Sequence, residues 1–214
     1  MIDAERRLVM TYAPSPGAAA ALEALLALDD KLAETLRTTS EPMLGQIRVQ
    51  WWHDALSRLD AAPPPPEPVL QGIARDVVRD GITGARVAEM VEGWQSLLQA
   101  ELDDAALTLH GARGADIVRD RRSGGGCCGE RPAGAGGEGW ALADLAGKLS
   151  DPGEAAAARR MAEAALDEAC GAPWSRNGRA LGAMAHLARM ELAGVAPGSP
   201  QRTGRVLWHR ITGR

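Results

Sequence analysis

Nowhere in the 214 residues do apolar and polar side chains alternate through a β-branched run; the apolar residues recur at three- and four-residue spacing, in blocks cut by proline and glycine. Such a pattern builds helices that each bury one face, and it leaves no strand from which to assemble a sheet. Over 18–37, Leu22, Leu25, Leu26, Leu32, Ala33 and Leu36 share one helical face. The break at Thr38-Thr39-Ser40-Glu41-Pro42 places Ser40 as an N-cap and Pro42 in the first turn of a second helix. That helix runs to about Leu59, with Leu44, Ile47, Trp51, Trp52, Ala55, Leu56 and Leu59 as a wide apolar stripe, until the prolines of 63–66 end it. A third helix is expected over 68–79. A fourth follows Asp80-Gly81-Ile82-Thr83-Gly84 and keeps register through Val87, Met90, Val91, Trp94, Leu97, Leu98 and Leu102 to about Leu109. Short alanine-rich helices are expected over 140–149, 154–170 and 178–192. The expected architecture is an all-α bundle in one domain spanning 1–214, since no fixed period marks a solenoid.

Composition sharpens this reading. Forty alanines and 22 arginines stand against two lysines, Lys31 and Lys148, and there are six tryptophans, one tyrosine and no phenylalanine. A net charge of −4 argues against general nucleic-acid binding, so no nucleic-acid partner is expected. No window approaches the ~20 apolar residues of a spanning helix. The first residues lack a basic-then-apolar leader, and a cytoplasmic location is expected. Residues 202–214 combine Arg202, Arg205, His209, Arg210 and Arg214 with Val206, Leu207, Trp208 and Ile211. They read either as a closing helix with solvated arginines or as a peripheral membrane contact. Cys127, Cys128 and Cys170 match neither a zinc spacing nor a disulfide framework.

Residues 116–137, DIVRDRRSGGGCCGERPAGAGG, have no period and read as a disordered glycine-rich loop. The genetic code offers a second reading. Codons for Asp-Ile-Val-Arg-Asp taken one base later can encode Thr-Leu-Phe-Ala-Ile, and the Gly-Cys run becomes alanines, so the segment could be a frame-shifted helix.

Few side chains are placed for chemistry. On a helical wheel Asp29 falls in the middle of the apolar face of 18–37, flanked by Asp30 and Arg37, with Glu34 further round. A carboxylate on a buried face needs a counter-charge, which is either an arginine of another helix or a metal such as Mg²⁺. Arg48, on the second helix, could grip a diphosphate or form a surface ion pair. Asp144, one turn after Trp140, is a second candidate acid. His53 has no second ligand at zinc spacing.

The stretch Glu41-Pro42-Met43-Leu44-Gly45-Gln46-Ile47-Arg48-Val49-Gln50-Trp51-Trp52-His53-Asp54-Ala55-Leu56, preceded by Leu28-Asp29-Asp30-Lys31-Leu32-Ala33-Glu34, resembles the squalene/phytoene synthase family, and most closely a short bacterial branch. Met90-Val91-Glu92-Gly93-Trp94 and the residues around Trp140 and Asp144 extend the likeness. The resemblance implies an isoprenoid-synthase-like helical bundle around a central cavity. It also implies Mg²⁺ held by aspartate-rich motifs on facing helices, and head-to-head condensation of prenyl diphosphates.

Carried onto this chain, Asp29, Asp30 and Glu34 would hold metal, Asp144 would assist from across the cavity, and Arg37 and Arg48 would hold diphosphate. The motifs are degenerate. Where a D-D-x-x-D is due the chain reads Ala33-Glu34-Thr35-Leu36-Arg37, and Asp144 has no arginine before it. The mitochondrial complex I assembly factor with a phytoene-synthase-like domain, which also lacks the aspartates, represents a non-catalytic branch. Two functions follow as expectations: an Mg²⁺-dependent prenyltransferase, or a non-catalytic relative that binds an isoprenoid lipid or a protein partner. A plain helical interaction module is the third.

Overall fold

A computed structural model describes residues 1–39, 41–79, 81–99, 101–118 and 130–214, with the side chains of 115–118, 130 and 131 set aside. Among the described residues all regular structure is helical. The order is α1 (Asp3–Met10), α2 (Pro16–Arg37), α3 (Pro42–Ser57), α4 (Pro68–Asp76), α5 (Gly84–Gln95), α6 (Asp104–Val118), α7 (Glu130–Ala146), α8 (Pro152–Gly171), α9 (Arg179–Leu192) and α10 (Pro200–Thr212).

Proline sets many of the starts. Pro16, Pro42, Pro68, Pro152 and Pro200 each occupy the first turn, where the missing N–H costs nothing. Before four of them the preceding side chain caps the helix. Ser15 accepts from Ala18 N–H at 3.1 Å, Glu67 from Leu70 at 3.0 Å, Asp151 from Glu154 at 2.9 Å and Ser199 from Arg202 at 3.4 Å. At α3 the cap position is Glu41, without a side-chain bond, and the expected cap Ser40 lies outside the described residues.

The fourth helix expected from the apolar register is two helices. The α5 helix stops at Gln95, a 3₁₀ turn covers Ser96–Leu98, and α6 starts afresh at Asp104. Polar side chains make the break. The Ser96 hydroxyl, buried, lies within hydrogen-bond distance of the carbonyls of Gly93 and Ala106; Glu154 accepts from Leu102 N–H, and Asp103 caps Ala106 N–H at 2.8 Å. Leu97, Leu98 and Leu102 keep helical spacing across this corner, which is why periodicity alone joins the two segments.

The glycine-rich segment also divides. Residues 119–129, with Cys127 and Cys128, lie outside the described residues, whereas 116–118 end α6 and 130–137 are the first turns of α7. Of the described glycines of this segment, Gly136 and Gly137 are helical and lie at close approaches: a Cβ on Gly136 would stand 2.8 Å from the Trp174 ring. A Cβ on Gly114 of α6 would stand 2.0 Å from the Gly137 carbonyl oxygen, so only glycine lets α6 and α7 meet at this distance.

Two apolar clusters result. One gathers α1 to α5 with part of α9 and Val206 of α10, and the other gathers α6 to α9. Leu97, Trp140 and Leu181 pack against both. Ala180, Ala183, Met184 and Leu187 of α9 belong to the first cluster, Ala185 and Ala188 to the second. No described helix is long and apolar enough to cross a membrane.

Candidate functional site

Asp29 is where sequence reasoning places it, on the inner face of α2 between Leu26 and Leu32, and it is buried. Its counter-charge is an arginine. Arg113 of α6, itself fully buried, donates through Nη1 to Asp29 Oδ1, and Trp94 Nε1–H of α5 donates to the same oxygen at 3.1 Å. Burial pushes the Asp29 carboxyl up from the ordinary carboxylate range. The Arg113 charge pulls it back, and Asp144 across the junction pushes it up again.

Arg113 is held from its other side by an imidazole. Its Nε–H donates to His110 Nε2 at 3.0 Å, while His110 Nδ1 lies 2.9 Å from the Gly93 carbonyl oxygen. A carbonyl can only accept, so Nδ1 carries the proton, Nε2 is the acceptor, and the ring is neutral. The surroundings enforce this: burial first, then the Arg113 charge, drive the His110 pKa down to about 2. The guanidinium also lies over Trp94 at 4.4 Å and near Trp140 at 5.5 Å, and Trp94 meets His110 edge to face. Where α2, α5, α6 and α7 converge, the centre is therefore filled by Arg113 and the rings around it.

The remaining candidate residues turn elsewhere. Asp30, exposed, pairs with Arg6 of α1, and Glu34, also exposed, bonds Lys31 Nζ at 2.8 Å. Asp144 is bridged at 2.6 Å to Lys148, in the turn that follows α7. Arg37 is exposed near the end of α2. Asp29, Asp30 and Glu34 thus each face a different cation and do not converge. Among the described residues no three His, Cys, Asp or Glu side chains are placed to hold a metal, and the donor set does not fit Mg²⁺, which prefers several carboxylates around one point. Cys170 is a free, half-buried thiol whose pKa burial pushes up, the opposite of an activated nucleophile.

Arg48 lies in a different setting. Between α2 and α3 a groove of about 440 Å³, open to solvent, is lined by Lys31, Glu34, Thr35 and Thr38 on one side and by Ile47, Arg48, Trp51 and Trp52 on the other. Arg48 donates to Thr39 Oγ1 at 2.8 Å, and Trp51 meets Trp52 edge to face at 5.2 Å. The apolar stripe expected on this helix splits. Trp52, Ala55 and Leu56 go to the core, together with Val49 from outside the stripe, whereas Leu44, Ile47 and Trp51, joined by Met43, remain exposed.

Arg113 and His110 were not singled out by sequence reasoning. Their signal is weak: a His and an Arg three apart, one turn of helix, in a segment whose start the apolar register obscures. Comparison of the chain with protein-family models, with curated proteins and with solved structures gives no match.

Proposed function

We propose that this chain is a non-catalytic protein of squalene/phytoene-synthase type, with an isoprenoid-synthase-like arrangement of helices, which binds an isoprenoid lipid bearing an anionic head. The observation that carries the reading is the use of Asp29. Head-to-head condensation needs carboxylates free to gather Mg²⁺ around the leaving diphosphate. Here the one buried carboxylate of α2 is neutralised by Arg113 and bonded by Trp94, in a centre packed with rings.

The α2–α3 groove supplies the binding surface. Ile47, Trp51 and Trp52 form an apolar wall, and Arg48, with Lys31 across the groove, stands where an anionic head group would sit. The guanidinium fork suits phosphate oxygens, and the indoles suit a hydrocarbon chain.

The test uses geranylgeranyl diphosphate, with titration calorimetry for binding and diphosphate release for turnover. Expected are saturable binding without Mg²⁺, at least a tenfold loss in Arg48→Ala, and no diphosphate release at high protein concentration with Mg²⁺. Release of diphosphate that depends on Mg²⁺ and on Asp29 would overturn the reading in favour of a prenyltransferase. Absence of binding would remove the lipid from it.

A further inference from the structure

The α10 helix turns an apolar pole away from the core. Its inner face is Arg202, Val206 and His209, all buried, with Arg202 clasping Glu5 through Nε at 2.7 Å and Nη2 at 2.9 Å. On the opposite side stand Leu207, Trp208 and Ile211, at 45%, 59% and 78% exposure. At about 100° per residue these three cover an arc of roughly 100° with Ile211 between the other two.

Two further observations say what covers this face. From 192 to 214 the sequence has no Asp or Glu and four arginines, of which Arg210 and Arg214 are exposed, Arg210 with its guanidinium 5.0 Å from the Tyr12 ring. The two carboxylates that reach the helix are held on its inner side: Glu5 is buried on Arg202, and Glu191 lies 3.6 Å from Arg202 and 3.8 Å from the Met1 ammonium. The face is therefore apolar, rimmed by cations, and carries an indole.

We propose that α10 docks in the plane of an anionic lipid bilayer, with Leu207, Trp208 and Ile211 at the level of the head groups and Arg210 and Arg214 against lipid phosphates. An in-plane helix needs this division: an apolar strip to enter the boundary region, Trp at the interface and cations for anionic lipid. A protein surface fits less well. Three partly exposed side chains offer an apolar patch of roughly 400 Å², about half of what each partner gives to a standard interface.

The experiment is flotation of the full chain with vesicles of phosphatidylcholine alone and with about 30% phosphatidylserine. Expected is association with the anionic vesicles, a blue shift of tryptophan emission that Trp208→Ser removes, and at least tenfold weaker binding in Ile211→Ser and in the Arg210→Gln/Arg214→Gln pair. Trp208, Ile211 and Arg214 are exposed, and Arg210→Gln gives up only a guanidinium–ring contact with Tyr12, so circular dichroism should report intact helices in every variant. Salt at about 1 M should also release the protein, because it screens the arginines. Failure to float with anionic vesicles, or equal flotation of Ile211→Ser, overturns the proposal. So does self-association that Ile211→Ser abolishes in sedimentation velocity, which would assign the face to a second copy of the chain. None of these results bears on the α2–α3 groove, whose reading stands or falls on the diphosphate titration.

Discussion

Replacing Arg113 by methionine keeps a long apolar stem in α6 and deletes the charge that Asp29 faces. The variant loses the charge-assisted bond to Asp29, the bond to His110 Nε2 and the stacking on Trp94 and Trp140, and it leaves a buried carboxylate with the Trp94 N–H alone. Breaking a buried pair from one side costs about 3–5 kcal/mol. For a chain of this length that is a fall of roughly 6–20 °C in Tm. Asp29→Leu should cost a similar amount, since it strands the guanidinium.

The double variant Asp29→Leu/Arg113→Met removes both charges and should lie within about 2 kcal/mol of the parent, a coupling of several kcal/mol. The measurement is urea unfolding followed by circular dichroism for all four members of the cycle. A second signature comes from pH. In Arg113→Met the Asp29 carboxyl, already raised by burial, has lost its counter-charge and rises further. Its penalty is fully present at neutral pH and shrinks as the group protonates, by about 1.4 kcal/mol per pH unit. If Arg113→Met costs under 1 kcal/mol and the double variant is simply additive, the pair is not the hub inferred from its burial and bonding.

Acid should unfold the protein through its histidines. His110, His186 and His209 are buried and neutral, with pKa values driven by burial to about 2, 3 and 4, whereas the unfolded chain titrates near 6.5. Their contribution is complete above pH 6.5 and is lost as pH falls toward the folded values, so each should remove about 2 kcal/mol by pH 5. A urea midpoint unchanged between pH 7.5 and pH 5 would contradict this. Gly114→Ala should destabilise by more than 2 kcal/mol, because its Cβ meets the Gly137 carbonyl and backbone cannot step aside cheaply. An unaltered Tm in that variant would show that α6 and α7 do not cross there.

The helix starts at Pro42, Pro68 and Gly84 were legible, because a proline or a turn marks each locally. Asp151-Pro152, by contrast, reads as a break before 154 and is instead the cap and first residue of α8, and α1 had no such mark. The burial of Asp29 was legible from its place on the wheel, and so was the choice between arginine and metal. The partner was not, because Arg113 lies 84 residues away and is one of 22 arginines. The glycines of α7 misled for a physical reason. Glycine is a poor helix former, so composition reads it as loop, whereas a crossing such as Gly114 on Gly137 outweighs that propensity once tertiary contacts form. The outward edge of α3 was equally hidden, because periodicity says which residues are apolar and not which of them find a neighbour.

The α9 helix, which gives Ala183 and Met184 to one apolar cluster and Ala185 and Ala188 to the other, has a consequence for cooperativity. A wall shared by two rooms cannot be removed from one of them. Detachment of α9 opens both clusters at once, and any cut of the chain that leaves α9 in one fragment strips the other of its wall. Amide hydrogen exchange should accordingly find the protected amides of α2, α5, α7 and α8 opening with a common free energy, as one unit, with α9 setting its value.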